Sequence, residues 1–222
     1  MRKSMRLIHI LLVPVCLLCC LVFVVPCIAE GPDSSDIRTM ENTLPLTAAG
    51  HQGVLVLSPG WNFVSMPRKP AQGNATVKEI FGGVDLTGRS IFRWDGESGL
   101  WYQGMPDDVL KPLEGFWVYS ATRVDIPLVF DTVDIPFPPS RQLYKGWNAV
   151  GVGGTTPLSA RDTLLSLGSA WETVIGYTDG VIPDEPIQRG STDPGSGESR
   201  MLVPFRGYWV FLNEDKMYLG LL

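Results

Sequence analysis

Residues able to act as nucleophile, general base or soft metal ligand are few in this chain and poorly placed for it. The two histidines, His9 and His51, precede residue 52 of a 222-residue chain. A Ser-His-Asp triad, a Cys-His pair and a histidine-ligated metal therefore lack their central member over the rest of the sequence. The four cysteines, Cys16, Cys19, Cys20 and Cys27, share one N-terminal apolar segment, which leaves no thiolate site and no disulfide beyond it. Neither a Gly-rich phosphate loop with Lys-Ser/Thr nor a strict Asp-x-Asp-x-Asp-Gly calcium loop occurs. What remains is the chemistry of carboxylates and aromatic rings. Paired acids such as Asp95 with Glu97, or Asp107 with Asp108, could hydrolyse a glycosidic bond. They lie in polar turn sequence, however, and not in the apolar setting that raises a carboxyl pKa. The expectation is a chain with no catalytic residue, no metal and no cofactor.

Seven tryptophans lie beyond residue 60, and outside a cell such rings are natural platforms for sugars. An internal repeat sorts them. Leu57-Ser-Pro-Gly60-Trp61-Asn62-Phe-Val64 returns as Leu143-Tyr-Lys-Gly146-Trp147-Asn148-Ala-Val150, and Leu110-Lys-Pro112-Leu-Glu-Gly115-Phe-Trp117-Val118-Tyr119 returns as Leu202-Val-Pro204-Phe-Arg-Gly207-Tyr-Trp209-Val210-Phe211. The offsets are 86 and 92 residues, so the second copy carries a six-residue insertion between its two motifs. Residues present in both copies are those the module needs to fold. Trp61, Trp147, Trp117 and Trp209 are therefore expected in the core, where each indole would remove about 150–250 Å² from water. Gly60 and Gly146 call for a positive φ, closed by local hydrogen bonds from Asn62 and Asn148. Gly115 and Gly207, ahead of the most apolar strand, mark a bulge or a close backbone approach.

The unmatched residues are the candidates for function. Trp101-Tyr102 has no counterpart in the second copy. Neighbours on a strand face opposite ways, so one of the pair points outward as a candidate ligand platform. The insertion, within Thr178 to Arg200, reads as a mobile acidic surface loop. Asn74-Ala-Thr76 is a candidate glycosylation site.

Short apolar and alternating runs bounded by Gly and Pro read as strands in both copies. Each copy adds one short helix, over Thr76–Phe81 and Ser159–Leu167. The fold class is mainly β: two tandem sandwich- or barrel-like modules over residues 52–131 and 141–222, joined by a Pro-rich connector over 132–140. Modules this small, without disulfides, should pack on one another. Ahead of them, basic Arg2, Lys3 and Arg6 precede an apolar run and the small residues Cys27 and Ala29. Residues 1–29 thus read as a cleaved signal or a retained membrane anchor, and residues 30–51 as a flexible tether. Either way the modules lie outside the cytoplasm, and membrane contact is confined to the N-terminal segment. Without those three cations the net charge falls from −5 to −8, which argues against nucleic acid as a partner.

The Gly-Trp-Asn opening and the Gly-aromatic-Trp-Val close, in that order and twice, resemble a tandem repeat of secreted and cell-surface proteins of archaea and some bacteria. The resemblance spans about residues 52–222 and implies an extracytoplasmic β-module of envelope or adhesin-like proteins, with no catalytic residues to carry over. The expected function is a non-catalytic exported surface or envelope protein acting by surface interaction or structure. Its partner would be an envelope glycan or a surface protein. The alternatives are a carbohydrate-binding protein with Trp101 or Tyr102 as platform, and a carboxylate-based glycan hydrolase.

Overall fold

The computed structural model describes residues 52–131, 137–178 and 180–221. The N-terminal signal or anchor and the tether lie outside the described residues. The first copy comprises β1 (Gln52–Leu57), β2 (Gly60–Ser65), α1 (Val77–Phe81), β3 (Ile91–Asp95), β4 (Leu100–Gly104), β5 (Gly115–Ser120) and β6 (Val124–Val129). The second comprises β7 (Ser140–Leu143), β8 (Gly146–Val150), β9 (Leu158–Ser159), α2 (Ala160–Thr163), β10 (Trp171–Ile175), β11 (Tyr177–Thr178), β12 (Ile182–Pro183), β13 (Ile187–Gln188), β14 (Met201–Leu202), β15 (Tyr208–Leu212) and β16 (Lys216–Leu219). The fold is mainly β, as the strand spacing implies.

The repeat in sequence is a repeat in topology. The first copy forms an antiparallel sheet ordered β2-β5-β3-β4, the second one ordered β8-β15-β10-β13. A two-stranded ribbon, β1 with β6 or β7 with β16, accompanies each sheet. Register agrees as well: Phe63 lies opposite Trp117 and Ala149 opposite Trp209. The shared turn before the second strand has the expected chemistry. Gly60 and Gly146 adopt φ of 102° and 101°. Asn62 accepts from the Ser58 N–H and donates to the Ser58 and Gly60 carbonyls, each at 2.9 Å, and Asn148 repeats this pattern around Tyr144 and Gly146. Both helices start on a hydroxyl cap. Thr76 closes a capping box with Glu79, and Ser159 accepts from the Asp162 N–H. The second helix is shorter than its sequence suggests, four residues followed by a 3₁₀ turn at Leu165–Leu167.

In each copy the ribbon and helix cover one face of the four-stranded sheet. Leu55, Leu57, Ile126 and Leu128 of the first ribbon share a core with Phe81, Phe116 and Val118. Tyr218 and Leu143 of the second share one with Leu164, Tyr208 and Val210. This placement corrects the expectation for the repeated tryptophans. Along β5 the core takes Phe116 and Val118, so alternation turns Trp117 and Tyr119 to the opposite face. Along β15 it takes Tyr208, Val210 and Leu212, and turns Trp209 outward. Trp61, Trp117 and Trp209 are half-buried, and Trp147 is exposed. Trp171, at the head of β10, is the indole that the core does enclose.

The two copies are joined by exchange. In each, the Pro-x-x-Gly turn before the tryptophan strand holds a non-glycine residue in the left-handed region: Leu113 at φ 59° and Phe205 at φ 66°. Leu113, fully buried, belongs to the core of the second copy. Phe205 packs on the core of the first and stacks on Phe130 at 6.3 Å. Backbone contacts repeat the exchange. The Ser65 N–H donates to the Phe205 carbonyl and the Gly151 N–H to the Leu113 carbonyl, both at 2.9 Å. Residue pairs that meet reciprocally in this way describe an approximate twofold axis. The glycines of this turn sit where the partner copy leaves no room. A Cβ on Gly207 would lie 2.6 Å from the Phe63 ring, and one on Gly115 would lie 2.9 Å from the Val150 carbonyl.

Two outcomes follow. Phe116→Ala will cost about 3–5 kcal/mol in urea denaturation and Trp117→Ala less than half of that; equal losses would return Trp117 to the core. Leu113→Ala will destabilise by about 2–5 kcal/mol. Its amide hydrogen exchange will accelerate at Val150 and Val210, in the copy that does not contain residue 113, more than at Val118. Acceleration confined to the first copy would refute the exchange.

Candidate functional site: an aromatic cleft between the copies

The faces of the two sheets turned away from their cores meet each other, and they are aromatic. On the first sheet, Phe63 stacks on Trp117 at 4.8 Å, and Trp61 meets Phe92 and the edge of Tyr119 at 5.7 and 5.6 Å. From the second sheet, Trp209 reaches Phe63 at 5.6 Å and both Trp94 and Trp101 at 5.5 Å. Tyr177 stands edge-on to Trp117 at 5.0 Å. Edge-to-face contacts at these separations are favourable, adding about 0.5–1.5 kcal/mol each beyond area burial. The Trp94 indole N–H is satisfied by the Trp147 carbonyl at 2.8 Å, which ties the first sheet to the second at this point.

The rings do not close on one another. A cavity of about 500 Å³ is lined by Trp61, Phe92, Trp101, Trp117 and Val181. A second, of about 310 Å³, is lined by Trp94, Trp101, Trp147, Ile175, Tyr177 and Trp209. A third hollow, of about 670 Å³, is polar and includes Trp94, Asp95, Glu97, Trp101, Tyr102, Arg141, Gln142 and Tyr144 in its walls. Trp101 borders all three. It lies on β4, the open edge of the first sheet, opposite Trp94, and is 49% exposed. The sequence singled out this residue and its neighbour, and the alternation of the strand separates them. Trp101 takes the aromatic face and Tyr102 the other, opposite Arg93.

Tyr102 sits over a buried ion pair. Arg93 and Glu114 are 4% and 2% exposed and join through two bonds, Nε to Oε1 at 2.9 Å and Nη2 to Oε2 at 2.7 Å. Asp108 adds a contact to Arg93 Nη1 at 3.3 Å. The Tyr102 hydroxyl donates to Glu114 Oε1 at 3.2 Å, and burial together with the Glu114 charge pushes its pKa up to about 12. The second copy has the same pair with its signs exchanged. Arg206 stands at the repeat position of Glu114 and pairs with Asp184 at 3.0 Å. The Asp184 carboxylate fills the space beside Gly176, the repeat position of Arg93.

The other candidate residues have structural partners. Asp95 is held by its own turn, accepting from the Ser98 hydroxyl at 2.6 Å and the Glu97 N–H at 3.1 Å. The Ser98 bond, outweighing partial desolvation, keeps its carboxyl below the ordinary range. Glu97 accepts from the Tyr144 hydroxyl of the second copy at 3.1 Å. Asn74 is half-buried, its Oδ1 accepting from the Val129 N–H at 3.0 Å. The insertion is more structured than a loop. It carries the β11–β12 hairpin and β13, and Glu198 holds both Arg161 and the Gly190 N–H. It reaches back over the first copy, where Val181 walls the larger of the two aromatic cavities and Gly180 lies against the Trp61 carbonyl. Among the described residues no group of three or more His, Cys, Asp or Glu could hold a metal ion. Sequence reasoning missed the cleft itself, since the aromatics it assigned to the core form its walls. Period-2 alternation beside Phe116 and Tyr208 was the available signal.

Compared with known proteins, the chain matches no family model, no curated protein and no solved structure.

The raised Tyr102 pKa carries a sign. Folding holds the phenol proton, so this group stabilises the fold fully below about pH 10, where a free tyrosine ionises. That contribution is lost as pH rises toward about 12. In an ultraviolet absorbance titration, Tyr102→Phe will remove an ionisation with a midpoint near 12; removal of a component near pH 10 would place this hydroxyl in open water.

Proposed function

We propose that the chain is a non-catalytic exported surface protein that binds glycan in the aromatic cleft between its two β-modules, with Trp101 as the stacking platform. The observation that carries this reading is the position of Trp101: half exposed on an open sheet edge, and shared by two aromatic cavities and a polar hollow. A pyranose ring has an apolar C–H face and a hydroxyl rim. The aromatic walls suit the first and the hollow beside them suits the second, the combination of apolar lining and few convergent polar groups that small-ligand sites use. Charge is consistent with this reading. Removal of Arg2, Lys3 and Arg6 leaves a net −8, which disfavours polyanions. The tandem Gly-Trp-Asn resemblance and the signal-like or anchor-like N-terminal sequence support a cell-surface location in the same proposal.

A glycan hydrolase is the weaker reading. Its general acid needs a carboxyl with a raised pKa. Asp95 is shifted the other way, and Asp108 and Glu114 are spent on Arg93.

The test is a glycan array probed with the parent and with Trp101→Ala. The parent will capture a set of envelope-type oligosaccharides. The variant will bind the same set at least tenfold more weakly, about 1.4 kcal/mol. Its stability will fall by less than about 1 kcal/mol, because the indole is half exposed. Equal binding by both proteins, or no capture by the parent, would overturn the reading.

A further inference from the structure

The repeat supplies an internal control for the polar hollow. The first copy has a related hollow, of about 290 Å³, walled by Leu55, Val56, Ser58, Asn62, Tyr177 and Arg206. At the offset of 86, Leu55 becomes Arg141, Val56 becomes Gln142 and Ser58 becomes Tyr144. All three replacements line the larger hollow of about 670 Å³ beside Trp101. Leu55 is a core residue, 1% exposed. The fold therefore accepts leucine at this position, and in the second copy it holds a guanidinium instead.

The fold uses only part of that guanidinium. Arg141 donates from Nη1 alone, to the Leu113 and Ala149 carbonyls at 3.1 and 2.6 Å. The Leu113 carbonyl already accepts from the Gly151 N–H at 2.9 Å, as the Phe205 carbonyl accepts from Ser65 in the first copy. No carboxylate lies within ion-pairing distance of Arg141 among the described residues. Its Nε and Nη2 groups have no partner there either, and burial pulls its pKa down, a cost that a core leucine would not carry. Arg206, in the related hollow, is by contrast tied to Asp184 and to the Tyr177 carbonyl.

We infer that Arg141 and Gln142, with Asp95 and Glu97, form the polar subsite of the cleft and select neutral, hydroxylated sugars over charged ones. The inference rests on the glycan reading and names the class of glycan. Each sugar hydroxyl both donates and accepts. This hollow offers donors, the Arg141 guanidinium and the Gln142 amide, together with acceptors, the Asp95 and Glu97 carboxylates. Lys111 and Glu114 also line the hollow, so a uronate would bring a further carboxylate beside Asp95, Glu97 and Glu114, and an ammonium sugar a third cation beside Arg141 and Lys111. Either like-charge contact opposes binding in a partly desolvated site.

The experiment uses the purified full chain and a panel of neutral oligosaccharides, each paired with its counterpart oxidised at C6 to the uronate. Calorimetry will find the neutral member bound at least tenfold more tightly. Arg141→Leu, which installs the residue of the first copy, will weaken binding of the neutral member fivefold or more while the melting temperature holds or rises. Should that variant fold poorly, exposed Glu97 serves in its place, and Glu97→Gln will narrow the gap between neutral and oxidised members. Equal or tighter binding of the uronates overturns the inference, as does parent-like affinity in a folded Arg141→Leu variant or an unchanged gap in Glu97→Gln. Each of those results leaves the glycan reading intact if Trp101→Ala still weakens binding at least tenfold. A parent that binds no member of the panel overturns both.

Discussion

Everything else in this molecule depends on two turns that each copy lends to the other. Leu113 and Phe205 adopt a backbone conformation that ordinary side chains avoid, at about 1–3 kcal/mol each. The return is comparable: a fully buried leucine stabilises by roughly 1.5–3 kcal/mol, and Leu113 has no exposed surface. The strain is sustained because each turn is held at three points, by the partner copy's backbone, by a proline three residues before its glycine, and by a salt bridge behind it. Neither copy has a complete core without the other. That solves the problem of a domain of about 80 residues with no disulfide, which is otherwise close to the limit of independent stability.

The exchange also decides what becomes of the aromatic faces. Once the turns are docked, the two sheets confront each other across rings that cannot interdigitate fully, because Trp61, Trp94, Trp101, Trp117 and Trp209 are large, flat and two-dimensional in their contacts. Tilted and edge-to-face packing holds them at 5 to 6 Å between centroids and leaves cavities between. A surface that would be an aggregation hazard on an isolated sheet is thus half covered, and it stays open at the strand that carries Trp101.

Much of this fold was legible in the residues. The repeat predicted the paired topology, and Gly60 with Asn62 predicted a closed left-handed turn. Gly115 and Gly207 suggested a bulge or a close approach, and the structure shows the close approach, made to the other copy. The face of the tryptophans was misjudged for a physical reason. Presence in both copies says that a residue matters to the assembled pair, and an interface between copies meets that condition as well as a core does. Only alternation relative to Phe116 and Val118 separates the two, and a run in which every residue is apolar hides alternation. The polar hollow was illegible because Arg141 and Asp95 come from different copies. Their meeting depends on the exchange, and Arg141 by itself reads as one more surface arginine.

The reversed salt bridges hold a further consequence. An assembly of two identical subunits must write every residue on its twofold axis twice, so a pair such as Arg93–Glu114 recurs with the same polarity on both sides. Here the second side reads Asp184–Arg206. Joining the halves in one polypeptide releases each from being its own complement. One half can then keep a leucine where the other sets an arginine, and the molecule retains the mechanical economy of symmetry while gaining a left and a right.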